Sequence, residues 1–221
     1  MNKGELKMDT KTRITYYGHA MFLIESSAGI KIGIDPYNQQ VKDDLPDVSA
    51  DIVLVSHDHF DHSNINLFKG EPEVLKTPGE KNAKGISVHG IKTYHDHAQG
   101  TKRGDNILFK FKVDEISFAH MGDLGHLPSQ NQLKILKDIN VLMLPIGGIY
   151  TIDYRQAHRL IKDIKPNIAI PMHYKQKDTK IDVDDINNFL NEIKDYKVLD
   201  AGEISKQGLP INTEIWVLNP I

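Results

Sequence analysis

One stretch constrains this chain more than any other: Asp51-Ile-Val-Leu-Val-Ser-His57-Asp58-His59-Phe60-Asp61-His62. The apolar run is short and rich in β-branched residues, which reads as a buried strand. It runs directly into four ligand-type side chains, so the strand must end at a sheet edge where polar groups can gather. Along extended backbone, residues i and i+2 point the same way, so His57 and His59 can reach one ion. A turn after His59 would aim Asp61 and His62 at a second position. Imidazole and carboxylate ligands suit Zn²⁺, and the same ligand types accept Mn²⁺ or Fe²⁺.

Further ligand types follow other strand-like runs. Tyr94-His95-Asp96-His97, Ala119-His120-Met121-Gly122-Asp123 and Pro171-Met172-His173-Tyr174 each place a His or Asp just beyond an apolar segment. Of 11 histidines, eight fall between His57 and His126, a concentration that points to metal or proton chemistry. The chain has no cysteine, which removes disulfides, thiolate nucleophiles and cysteine-based zinc sites. A net charge of −3 gives no support for a nucleic-acid surface.

The spacing predicts strands at Arg13–Tyr17, Met21–Glu25, Ile30–Asp35, Asp51–Ser56, Gly90–Tyr94, Asn106–Val113, Glu115–Ala119, Val141–Pro145, Asn167–Ile170 and Thr213–Leu218. Helices are expected after two capping boxes, Ser129 with Gln132 and Asp153 with Gln156. A third is expected along Ile186, Phe189, Leu190 and Ile193, and a short one near Asn64–Lys69. Residues 36–50 lack periodicity and read as a long loop. At 221 residues, one domain over 1–221 is the simplest organisation, with 1–11 a loose N-terminal tail. The N-terminus is polar, unlike a secretory leader, and no apolar run approaches the roughly 20 residues of a membrane span. The expectation is a soluble, cytoplasmic protein with no membrane partner.

The motifs together resemble the metallo-β-lactamase superfamily of metal-dependent hydrolases, and within it the subgroup of L-ascorbate-6-phosphate lactonases. The matching segments are Gly18-His19-Ala20, Ile34-Asp35-Pro36, His57 to His62, Tyr94-His95-Asp96, Gly100-x-x-Arg103-Gly104-x-Asn106, His120-x-Gly122-Asp123-Leu124-Gly125, Pro145-Ile146-Gly147-Gly148 with Tyr150-Thr151, and Pro171-Met172-His173-Tyr174. They run in family order along nearly the whole chain.

The resemblance implies an α/β fold, a four-layer αβ/βα sandwich with the site along one edge of the sheets. It implies a dinuclear site: His57, His59 and His95 on one metal, Asp61, His62 and His173 on the other, and Asp123 bridging. His120 competes with His95 for the first metal, or stands beside the site as a substrate or proton-transfer group. Asp35 is implied to support the His loop, with Asp96 nearby. His19 is either near the metals or structural. Arg103 either binds a carboxylate or phosphate or pairs with Asp105 or Asp96. Tyr150 either lines the pocket or begins the next helix. Homo-oligomers are common in that subgroup.

The implied chemistry is attack by a metal-bridging hydroxide on a lactone or ester carbonyl, or on a phosphodiester. Asp61 would accept the nucleophile's proton and His120 would assist the leaving group. Two other readings stand beside it: a metal-dependent oxidoreductase, and a protein that keeps metal for binding or sensing. Flavin-linked diiron relatives usually carry Glu where this chain has His59, which counts against the first.

Overall fold

The structure, a computed structural model, describes residues 10–221. Its strands in chain order are β1 (Lys11–Gly18), β2 (Met21–Glu25), β3 (Lys31–Ile34), β4 (Val48–Ser49), β5 (Ile52–Leu54), β6 (Phe68–Lys69), β7 (Glu73–Leu75), β8 (Gly79–Ala83), β9 (Ile86–Tyr94), β10 (Asp105–Val113), β11 (Ile116–His120), β12 (Val141–Pro145), β13 (Ile168–Met172), β14 (Lys197–Leu199), β15 (Gly202–Ser205) and β16 (Glu214–Leu218). One sheet has the order β15-β1-β2-β3-β5-β7 and the other β14-β16-β13-β12-β11-β10-β9-β8; β4 and β6 form a small pair of their own.

Period-two alternation explains how the sheets stack. Ile14, Tyr16, Phe22, Ile24, Ile32, Ile34, Ile52 and Leu54 face inward, in one continuous core with Phe109, Phe111, Phe118, Leu142 and Ile170 of the second sheet. The intervening residues Tyr17, Met21, Leu23, Val53 and Val55 face the other way and are buried as well, against Tyr37, Val41, Val48 and Phe68. A sheet buried on both faces needs a cover on each side.

The two outer covers differ in kind. Helix α2 (Tyr154–Ile164) sets Ala157, Leu160 and Ile161 into the core on the second sheet. Both expected capping boxes form, at Ser129 for α1 (Gln130–Ile135) and at Asp153 for α2. Among the described residues the first sheet is covered by irregular chain, residues 36–50 and the segment around Phe68, and by no α-helix. Gly33 makes this possible: a methyl group there would run into the Phe68 ring. The helix expected near Asn64–Lys69 is a single 3₁₀ turn, Ile65–Leu67, followed by β6. Asn64 makes no side-chain cap, and Phe68 turns to extended backbone so that its ring can seal the sheet. The third helix shortens to α3 (Asn187–Leu190), where Ile186 makes no capping bond.

Of the expected tail, residues 1–9 lie outside the described residues, and Lys11 already pairs with Ser205. No described helix is long and apolar enough to cross a membrane.

Candidate metal centre

Neighbouring parallel strands carry their C-terminal ends to the same edge of a sheet, and loops from those ends converge. Strands β3 and β5 run parallel in the first sheet, as do β11, β12 and β13 in the second. Asp35 follows β3, Ser56 to His62 follow β5, His95 follows the antiparallel β9, Asp123 follows β11 and His173 follows β13. His19 enters from the β1–β2 turn.

These loops meet in one cluster. Ligand atoms of His57, His59 and His95 lie within 4.8 Å of one another, and so do those of His19, Asp61, His62 and His173. A third group, His57, His62 and Asp123, joins the two. Asp123 Oδ2 stands 3.1 Å from His95 Nε2, 3.1 Å from His173 Nε2, 3.2 Å from His62 Nε2 and 4.0 Å from His57 Nε2. All of these residues are buried except His59, which is exposed.

Hydrogen bonding fixes where the ring protons sit. Asp35 accepts from Ser56 N and Ser56 Oγ, both at 2.7 Å, and from His62 Nδ1 at 3.0 Å. The Ser56 hydroxyl has one proton and gives it to Asp35, so towards His57 Nδ1, 2.8 Å away, it accepts. Both histidines therefore carry a proton at Nδ1. The Nε2 atoms of His57 and His62 are buried without a hydrogen-bond partner, as is Asp123 Oδ1. Lone pairs converging on a carboxylate repel unless a cation lies between them. A divalent cation satisfies these atoms together, so the donor set fits a metal.

The electrostatics agree. Burial opposes charge on Asp123, yet His173 and His62 hold it well below the usual carboxylate range. Asp61 is likewise held low against burial, by His62 and by His19. Burial would discharge His62, but Asp123, Asp61 and Asp35 pull its pKa well above the ordinary value. A proton on His62 thus balances the carboxylates when no ion does. Burial lowers His57 to about 3 and His19 to about 4.

The backbone is strained at this edge. His19, Asp35 and His173 have φ of 54°, 46° and 54°, the left-handed region that costs L-residues roughly 1–2 kcal/mol each. Gly122, at φ 53°, has no room for a side chain, since a methyl group would meet Asn106 Oδ1 and Ser56 Cβ. Asn106 Oδ1 uses that space to accept from Asp123 N at 2.9 Å. Three of the nine described non-glycine residues with positive φ thus lie at this edge, where the surrounding packing holds them.

Several expectations resolve here. His95, not His120, joins His57 and His59. His120 is fully buried; its Nε2 donates to Ala20 O at 3.0 Å, and its Nδ1 accepts from Gly122 N at 3.2 Å. With both ring nitrogens engaged, it ties the β1–β2 turn to the Gly122 loop, a different placement from the leaving-group role expected for it. His19 belongs with the second ligand group, its Nε2 3.1 Å from Asp61 Oδ2. Asp96 is a loop builder: its buried carboxylate accepts from the backbone N–H groups of Ala98, Gly100, Lys102 and Arg103. Burial would raise its pKa, but those four donors, Arg103 first, hold it at about 2. Tyr150 is exposed at the cleft rim, ahead of α2. Ser56 and Asn106 were missed as functional residues; Ser56 directly precedes the first ligand, the one signal that could have found it.

A cavity of about 480 Å³ opens at the cluster, lined by His59, Asp61, His95, Asp123 and His173 together with Phe60, Arg103, Tyr150 and Lys180.

The fold and site place the chain in a known class. Residues 13–173 match the β-lactamase superfamily domain, and the chain belongs to this metallo-β-lactamase superfamily of metal-dependent hydrolases. Among its relatives is a UPF0173 metal-dependent hydrolase of Carboxydothermus hydrogenoformans, 28% identical over 94% of this chain and 97% of that protein. Another is a UPF0173 metal-dependent hydrolase of Thermoplasma volcanium, 30% identical over 77% of this chain and 86% of that one. The solved structure of a candidate zinc-dependent hydrolase from Thermotoga maritima is 31% identical and superposes with a TM-score of 0.78, covering 94% of this chain and 100% of that chain. Igni18, a metallo hydrolase of Ignicoccus hospitalis, shares the fold at 21% identity and a TM-score of 0.64, over 96% of each chain.

Proposed function

We propose that this chain is a hydrolase that holds two divalent ions in the cleft, Zn²⁺ first and Mn²⁺ or Fe²⁺ next, and cleaves a small-molecule lactone, carboxylic ester or phosphodiester. One observation carries the reading: the Nε2 atoms of four histidines crowd Asp123 Oδ2, and two of those rings have their protons committed elsewhere. When bound, such ions supply Lewis acidity towards a substrate oxygen and lower the pKa of water towards ~7.

The chain's own residues do the remaining work. His57, His59 and His95 would hold one ion, Asp61, His62 and His173, with His19 beside them, would hold the other, and Asp123 would serve both. Asp35 and Ser56 orient His62 and His57, as outer partners of ligating histidines do. Asp61, ionised and lining the cavity, can receive a proton from attacking water, with His19 Nε2 3.1 Å from its Oδ2. Phe60, Tyr150 and Ile181 form apolar walls suited to a small organic substrate. Lactones and esters come first because the sequence motifs resemble those of lactonases; fold alone does not choose between carbon and phosphorus.

The test is hydrolysis of a lactone series and a phosphodiester series by metal-loaded protein, with Asp123→Ala as control. Turnover of one series that vanishes in the control supports the reading and identifies the attacked atom. Retained metal with no turnover of either series overturns it in favour of binding or sensing.

A further inference from the structure

Two cavities flank the ligand cluster. The one of about 480 Å³ lies over it; a second of about 360 Å³ is lined by Ser56, His57, Lys76, Lys92 and Gly104 among others. Both include His59 and Arg103. Four cations line these cavities, and three are already neutralised. Lys76 pairs with Asp58 at 3.6 Å, Lys92 with Asp105 at 2.7 Å, and Lys180 with Asp43. Arg103 has no carboxylate within ion-pair distance among the described residues.

The nearest acids in sequence on either side are unavailable to it. Asp105 is taken by Lys92, and the Asp96 carboxylate is taken by four backbone N–H groups, one of them that of Arg103 itself at 2.8 Å. Asp96 therefore shapes the loop that carries Arg103 while leaving its guanidinium unpaired. The guanidinium carbon lies over the Tyr150 ring, 5.4 Å from its centroid, and one N–H donates to Ile149 O at 3.3 Å. A ring contact uses no N–H and that bond uses one of five donors, so donors remain for a planar acceptor. A half-buried, pre-oriented, unpaired guanidinium beside a catalytic cluster matches carboxylate or phosphate oxygens.

We propose that Arg103 is the anchor for an anionic group, a carboxylate or a phosphate, carried by the substrate away from the bond that is cleaved. The substrate would place that group on Arg103, its body between Phe60 and Tyr150, and its scissile bond at the ligand cluster. This rests on the hydrolase reading and narrows its substrates to anionic ones.

The test uses equilibrium binding to metal-loaded protein, so turnover does not enter. The probes are hydroxamic acids of graded chain length, each ending in a carboxylate, a phosphate monoester or a neutral methyl ether. Hydroxamate directs one end to the metals; the other end reports on Arg103. At the best chain length an anionic compound should bind about tenfold or more tighter than its neutral partner. That ratio should fall to near one in Arg103→Ala and return in part in Arg103→Lys. Because the ratio is taken within each variant, a general loss of stability cannot imitate it. A carboxylate or phosphate preference in the wild type identifies the group.

An equal ratio in wild type and Arg103→Ala overturns the proposal, as does tighter binding of the neutral compounds or no binding by any probe. Wild-type hydrolysis of neutral esters alongside such a result leaves the hydrolase reading standing. An intact ratio without hydrolysis of any ester or diester sinks that reading and keeps the anchor.

Discussion

The two ligand groups of the cluster are built differently. His57, His59 and His95 are imidazoles only, and His59 is open to solvent. His19, Asp61, His62 and His173 are buried throughout and include a carboxylate, with Asp35 bonded behind His62. The first group has His57 and His59 with lowered pKa values, burial being the main cause for each. The second has His62 raised by three carboxylates. A buried site with negative charge around it binds a cation tightly and releases it slowly; a neutral, half-open site exchanges more readily. On the two-ion reading proposed above, the buried group would keep its ion and the half-open group would exchange its own more readily, with Asp123 shared between them.

The largest effect should come from the shared residue. Asp123→Asn keeps the shape and removes the charge, and both ions should be lost on dialysis, read by elemental analysis. Full retention of one ion would show that the two groups are independent. Next is Asp35→Ala, which strips the acceptor from His62 and Ser56. Breaking this buried network should cost about 3 kcal/mol, or roughly 10 °C in Tm, measured on metal-free protein by calorimetry. An unchanged Tm would mean that the second group is not held by its carboxylate.

His19→Asn is a smaller perturbation, because Asn tolerates the left-handed backbone at that position. Metal affinity should weaken by about 10–100-fold in the second group and hold in the first, read by competition with a chelator. Equal weakening in both would erase the distinction between them.

A pH slope in the metal-free protein probes the same cluster without any substitution. His19 and His57 have folded pKa values of about 4 and about 3, below the unfolded value near 6.5. Below pH 6.5 the unfolded chain binds their protons and the folded chain does not. Their contribution is therefore fully present above 6.5 and falls as pH drops towards 4, at about 1.4 kcal/mol per pH unit each. His62 has the opposite sign: raised in the fold, it stabilises below 6.5 and loses that contribution as pH rises through its folded pKa. Ring-proton NMR on metal-free protein should show His62 charged and His57 neutral at pH 7. The reverse order would contradict the assignment of protons in the cluster.

Local pattern made much of this molecule readable. Alternating apolar residues marked β1, β2, β3, β5, β10 to β13 and β16, because burial on a pleated sheet repeats every two residues. Capping boxes located α1 and α2, because they satisfy orphan N–H groups within four residues of sequence. The short strands β4, β6, β7, β8, β14 and β15 were not legible. Most of their side chains are exposed, as in Gly79–Ala83, so their pairing is imposed by a neighbour rather than by their own composition. The segment at Asn64–Lys69 failed for a related reason: the needs of the first sheet's outer face overrode helix periodicity.

By itself the sequence pointed to a metal cluster and named the side chains that could supply it. His57, His59, Asp61 and His62 are close in the chain, and the others sit at strand ends that a sheet must bring to one edge. Only the tertiary structure decided how each histidine acts. His95 and His120 look alike as residues after strands, yet one turns to Asp123 and the other is locked between Ala20 and Gly122. The same holds for Arg103, whose two neighbouring acids are claimed by the backbone and by Lys92. A ring's free nitrogen and a guanidinium's missing partner depend on groups far away in sequence, and no local pattern encodes them.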